Sequence, residues 1–276
     1  MKLTKLLGLA TIFSAVALAG CKDDKPTATT TPAQEPARKL TLGVMSGAEA
    51  QVAEVAARIA KEKYNIDVKL IEFTEYTQPN EALSKGDLDI NAFQHKPYMD
   101  KEVEQRGYKL AVVGNTFVFP IAAYSKKIKD ISELREGAIV AVPNNPSNLG
   151  RALLLLEKQG VIKLKDSNNL FSTSIDVVEN PKNITIQEVE TSLLPRALDD
   201  VDFAVINNTY AGQHGLTREK DGIFVEDKDS PYVNLVVARE DNKDNEVIKD
   251  FVKAFQSEEV YQEAVKHFND GVVKGW

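Results

Sequence analysis

The feature that most constrains the fold is an alternation, repeated from Leu40 onward, of short apolar runs with stretches whose apolar residues recur at helical spacing. Apolar runs bounded by turn residues read as buried strands, and recurrence every three to four residues reads as helix. Residues 40–45 are a predicted strand, and Ser46-Gly47-Ala48-Glu49 has the spacing of a helix capping box. Val52, Val55, Ala56 and Ile59 then predict an amphipathic helix to about Tyr64, and residues 66–73 alternate as the next strand. Such a strand–helix–strand unit builds a parallel sheet. The pattern continues with a short helix over 79–85 closed by Gly86, a strand over 88–92, a helix over 97–106 ended by Gly107 and a strand over 110–113.

The second half repeats the grammar. Residues 121–124 and 138–142 read as strands, separated by a short helix capped by Asp130 and closed by Gly137. Asn145 and Pro146 open a helix that runs to Gln159 and ends at Gly160. Strands follow over 184–189, 203–206 and 233–238, then helices over 245–256 and 257–268. No self-similar period of 20–50 residues appears, which disfavours a repeat architecture. The expected fold is α/β and bilobal: residues 40–119 plus 233–276 in one lobe, 120–232 in the other. Two crossings, near 119–124 and 231–238, would form a hinge whose closure buries a ligand.

The N-terminus lies outside this fold. In residues 1–20, Lys2 and Lys5 precede an apolar run over 6–18, shorter than the ~20 residues a membrane span takes. The segment ends Leu18-Ala19-Gly20-Cys21, which resembles the bacterial lipoprotein signal; acylation of the Cys21 thiol and cleavage before it are expected. The alternative is an ordinary secretory leader followed by an incidental cysteine. Cys21 is the only cysteine, so an intrachain disulfide is excluded. Residues 22–39, with three prolines and four threonines, are too polar to offset their ordering entropy and read as a disordered tether. The net charge of −7 carries no basic block, so nucleic acid is not an expected partner.

Candidate ligand residues sit just beyond predicted strand ends, where open α/β sheets bind ligands. Phe93, His95 and Tyr98 fall together where a strand gives way to a helix, and Tyr76 and Phe117 lie past two other strands. They fit an aromatic pocket, or else ordinary core packing with a hydrogen-bonded loop histidine. Arg151 lies one turn into its helix with Asn148 three residues earlier on the same face. A helix start with an arginine favours a carboxylate, whose two oxygens a guanidinium can hold at once; a solvated surface arginine is the plainer reading. Asn207 and Asn208 follow the strand 203–206, and Asn234 interrupts the apolar run 233–237. Amides there serve a ligand or cap the backbone. No Gly-x-Ser-x-Gly, phosphate-loop or His-Glu-x-x-His motif is present, and His95, His214 and His267 are scattered. An enzyme, a metal and a cofactor are therefore not expected.

Several long stretches resemble the NlpA lipoprotein family, in particular its methionine-binding members: residues 87–98, 113–120, 140–156, 177–183 and 221–235, and the C-terminal Val273-Lys274-Gly275-Trp276. The resemblance implies a type II periplasmic-binding-protein fold on a lipid anchor in the bacterial envelope. It further implies delivery of methionine to an ABC importer's permease–ATPase complex. Carried over residue by residue, it implies Tyr76, Phe93, His95 and Tyr98 around the ligand side chain and Arg151 on the carboxylate. Asn148, Asn207 and Asn234 would serve the remaining polar groups. No carboxylate for the ligand ammonium stands out, so amide oxygens and backbone carbonyls are the expected acceptors. A methionine-containing dipeptide or another apolar amino acid is the rival ligand, and an adhesive or structural surface lipoprotein is the rival class.

Overall fold

A computed structural model describes residues 36–228, 230–268 and 272–276. The leader, most of the tether and Cys21 lie outside the described residues.

The opening unit forms as its pattern predicts, except that its first strand begins at Arg38, two residues inside the stretch read as tether, because Arg38 and Lys39 pair with the next strand. β1 (Arg38–Met45) leads into α1 (Ala48–Tyr64), which returns to β2 (Ile66–Phe73), parallel to β1. α1 buries Val52, Ala53, Ala56, Ile59 and Ala60 along one stripe. The capping box at its start does not form. Gly47 takes the N-cap with φ 92° and no side-chain cap, and Glu49 turns away to be buried elsewhere. A positive φ suits glycine, and it redirects the chain so that Ser46 and Glu49 face the other half of the molecule.

α2 (Thr77–Lys85) ends on the left-handed Gly86. The strand expected over 88–92 is β3 (Ile90–His95), buried along its whole length. It runs three residues further than an apolar run would show because its amides are satisfied internally. Asn91 and Gln94 donate to Asn80 Oδ1 at 2.9 and 2.6 Å, and Asn80 donates to Gln94 Oε1 at 2.8 Å. Buried amides paired in this way carry little penalty. α3 (Lys96–Arg106) follows directly, with Pro97 in its first turn, and β4 (Leu110–Val118) extends well past the predicted end at residue 113.

The chain then enters a second sheet. β5 (Ala122–Tyr124), β6 (Ile139–Pro143) and α4 (Pro146–Lys158) come first, with a 3-10 turn at Ile131–Glu133 capped by Asp130. A hairpin of β7 (Lys163–Leu164) and β8 (Val177–Glu179) precedes β9 (Thr185–Val189) and the short α5 (Leu194–Ala197). β10 (Phe203–Ile206), α6 (Asn208–Gln213), α7 (Arg218–Asp221) and β11 (Gly222–Val225) complete this half. β12 (Val233–Arg239) returns to the first sheet, and α8 (Glu246–Phe255), α9 (Glu258–Phe268) and β13 (Val273–Lys274) close the chain.

The first sheet has the order β13-β4-β12-β3-β1-β2, and the second β11-β5-β10-β6-β9. β12 inserts antiparallel between β3 and β4, so the returning segment from Val233 onward completes the first sheet. Two connections cross between the sheets, Val118 to Ala122 and Val225 to Val233. The first sheet buries its core against α1, α8 and α9, and the second buries α4. A third cluster draws on both, joining Met45, Phe93 and Tyr98 to Ala122, Ile206 and Tyr210. The fold is a bilobal α/β fold, with its aromatic strand end facing the other lobe.

Candidate functional site

β3 places Phe93 and His95 on one face, since side chains two apart in a strand point the same way. His95 then serves as N-cap of α3: its Nδ1 accepts the Tyr98 N–H at 3.2 Å. That fixes the ring proton on Nε2, which donates to Asn148 Oδ1 across the interlobe boundary at 3.3 Å. Burial, aided by the nearby positive charge of Arg151, lowers the His95 pKa from 6.5 to about 3. The imidazole is neutral, with both nitrogens engaged; it offers the cavity its ring.

Tyr76, Phe93 and Tyr98 form the apolar wall. The Tyr76 and Tyr98 rings lie 5.9 Å from Phe93, and Tyr98 meets it edge-on at 77°. Tyr210 of α6 packs on Tyr76 at 4.7 Å. The Tyr98 hydroxyl donates to the Tyr76 carbonyl at 3.1 Å, and Tyr76 donates to Thr209 Oγ1 of the other lobe at 2.9 Å. Burial pushes both phenols well above their usual pKa.

The polar end begins at α4. Asn145 caps that helix through the Asn148 N–H at 3.2 Å, and the same Oδ1 accepts Asn148 Nδ2 at 2.8 Å. So held, Asn148 accepts from Asn207 Nδ2 at 2.8 Å as well as from His95. The Asn207 side-chain oxygen Oδ1 is buried and has no hydrogen-bond partner among the described residues. Asn234, opposite His95 at a bulge in β12, donates to the Phe93 carbonyl at 3.1 Å.

Arg151 is buried to 3 % exposure. Its Nε donates to Glu226 Oε1 at 2.9 Å, its Nη2 donates to Glu226 Oε2, and Nη2 also reaches the Phe119 carbonyl at 3.0 Å. The Tyr232 ring lies 4.3 Å from the guanidinium carbon. One two-pronged edge of the guanidinium, Nε with Nη2, is thus occupied by an internal carboxylate, which leaves Nη1.

Tyr76, Phe93, His95, Tyr98, Asn148, Arg151, Asn207 and Asn234 all line one cavity of about 370 Å³. Phe117 is not among them. It packs in the first core, 5.2 Å from Trp276, because the crossing turns the next aromatic, Phe119, toward the cavity instead. Gln94, Asn208 and Thr209 complete the lining. Glu226, Tyr232 and Glu49 support it from behind, and nothing local in the sequence marks them for the site; Glu49 carries only the capping-box spacing. Among the described residues no cluster of metal-binding side chains occurs and no helix is long and apolar enough to cross a membrane.

Two α/β lobes that share a cavity lined by aromatic rings, amides and a guanidinium define a substrate-binding protein. The chain belongs to the NlpA lipoprotein family, whose model matches residues 40–276. It is 84% identical, over the full length of both chains, to a probable D-methionine-binding lipoprotein MetQ of Pasteurella multocida. Solved relatives include the methionine-binding protein MetQ, at 64% identity and TM-score 0.84 over 86% of this chain and 98% of that one. A nutrient-binding protein from Burkholderia cenocepacia bound to methionine shares 48% identity, with TM-score 0.82 over 86% and 100% of the two chains. An ABC-transporter periplasmic substrate-binding protein from Coxiella burnetii shares 43%, with TM-score 0.83 over 86% and 100%.

Proposed function

We propose that this chain captures methionine between its lobes and delivers it to an ABC importer, without chemical change to the ligand. The observation that carries this reading is the unpartnered side-chain oxygen Oδ1 of Asn207, a residue that lines the same cavity as Arg151. A buried acceptor left unpaired costs about 1–3 kcal/mol, and a ligand ammonium would relieve that cost. With Arg151 for the carboxylate, the polar end suits an amino-acid head. The aromatic wall suits an apolar side chain, and a thioether sulfur gains about 0.3–1.5 kcal/mol against an aromatic edge.

On this reading Tyr76, Phe93, His95 and Tyr98 enclose the side chain while Arg151, Asn148, Asn207 and Asn234 organise the head. Residues 40–119 with 233–276 and residues 120–232 move as lobes about the two crossings. Acylated Cys21 and the tether hold the body at a bacterial membrane, within reach of the permease. The names of the relatives and the methionine in the Burkholderia structure support this assignment.

The test is native mass spectrometry of protein purified without refolding, followed by calorimetry of stripped protein. The titrants are both methionine enantiomers, other apolar amino acids and methionine dipeptides. Unchanged methionine should copurify and should bind most tightly. Tighter binding of another titrant would reject methionine as the ligand; failure of every titrant would favour a structural lipoprotein.

A further inference from the structure

Of the five N–H donors of a guanidinium, three are committed in Arg151. The Nε hydrogen goes to Glu226 Oε1, and the two Nη2 hydrogens go to Glu226 Oε2 and the Phe119 carbonyl. The two on Nη1 have no protein acceptor among the described residues. Glu226 is itself fixed. Its backbone N–H donates to the Ile121 carbonyl at 2.9 Å, and its Oε2 accepts the Ile121 N–H at 3.4 Å. Tyr232 covers one face of the guanidinium. Phe119 and Ile121 lie on the first crossing between the sheets and Tyr232 on the second, so both crossings and one carboxylate hold Arg151.

We propose that Glu226 is the positioning residue for the cleft's head-group selectivity, locking Arg151 so that only Nη1 is presented to a ligand carboxylate. This rests on the reading of Arg151 as the carboxylate receptor. A guanidinium that is free to turn offers either of its two-pronged edges to any anion. One pinned on three donors offers only its remaining nitrogen, so its bond to the ligand is set by where that nitrogen is held. The loss on misplacing such a charge-assisted bond is about ten- to a hundredfold in affinity.

The experiment compares L-methionine with L-methioninol, which keeps the ammonium and thioether and lacks the carboxylate, on the full-length wild type and on Glu226→Gln. The glutamine keeps one acceptor oxygen and turns an N–H donor toward the other guanidinium hydrogen, so the alignment is lost while the volume is kept. Wild type should prefer methionine strongly. In Glu226→Gln that preference should shrink about tenfold or more, with methioninol affinity nearly unchanged, whereas a general loss of fold would weaken both ligands together. Glu226→Asp, which keeps the charge and shortens the arm, serves if the glutamine variant does not fold, and should shrink the preference by a smaller factor. An unchanged preference, or tighter methionine binding once Glu226 no longer competes for Arg151, would overturn the proposal. A wild type that does not distinguish the two ligands would instead overturn the role of Arg151 itself.

Discussion

At the scale of single residues, two buried titratable groups pull in opposite directions with pH. Glu49 is held by the Thr209 hydroxyl of the other lobe, and burial, partly offset by that bond, raises its pKa from 4.5 to about 7. Opening the lobes would return it to water and to its ordinary value. The protonated form therefore favours closure: the benefit is complete below about 4.5 and is lost as pH rises through about 7. Glu49→Gln, which keeps the acceptor and removes the charge, should bind ligand more tightly than wild type above pH 7 and lose the pH dependence between those limits. Titrations across that window check this; identical profiles would show that Glu49 stays buried in both forms. His95 has the opposite sign. Its pKa falls to about 3, so its contribution to folding is complete above 6.5 and is lost as pH drops toward 3. Thermal melts of His95→Gln should fall less than those of wild type on acidification over that range. Arg151→Ala should abolish most binding and also unsettle the fold, because a buried carboxylate at Glu226 is left without its partner, at a cost of about 3–5 kcal/mol.

Among elements, α4 bears most on the site. Asn145 caps the helix and positions Asn148 with the same oxygen, so Asn145→Ala should cost about 0.5–2 kcal/mol of stability and weaken ligand binding as well. Chemical denaturation and calorimetry on the one variant check both; a stability loss with unchanged affinity would separate the cap from the site. Gly150 in the same helix lies so close to the loop beyond β7 that an added Cβ would sit 2.2 Å from the Leu170 carbonyl oxygen. What could be read in advance follows from where each signal is stored. Asn145, Pro146 and Gly86 act on neighbouring backbone, and their helices begin and end where these residues indicate. Asn207, Asn148 and Arg151 were legible as polar residues past strand ends. Gln94 is not legible as strand, because its partner Asn80 comes from another element. Glu49 likewise reads as a capping residue until the second lobe is present to accept its side chain. Phe117 and Phe119 differ in fate only through the path of the crossing, which no local pattern records.

For the whole molecule, the proposed hinge makes affinity depend on how often the lobes are closed as well as on what the cavity touches. Among the contacts that bridge the lobes outside the cavity are Gln213 Nε2 to the Ser46 carbonyl at 2.9 Å, Arg218 to the Phe268 carbonyl at 2.6 Å, and Lys101 over the Phe171 ring at 4.6 Å. None can touch a ligand held by the cavity residues, so each acts only on the balance between open and closed forms. The apparent dissociation constant scales inversely with the closed, competent fraction, and an exposed hydrogen bond is worth about 0.5–1.5 kcal/mol. Gln213→Ala combined with Arg218→Ala should therefore weaken binding by about five- to a hundredfold, provided closure is not already nearly complete without ligand. The loss should fall by the same factor on methionine and on methioninol, and chiefly in the dissociation rate, because contacts that form on closing hold the ligand in rather than bring it there. Small-angle scattering of the same variant should show a larger radius than wild type at matched, subsaturating ligand. A loss confined to one ligand would mean that the rim reshapes the cavity. The common factor is what separates a residue that closes the cleft from one, such as Glu226, that decides what the cleft prefers.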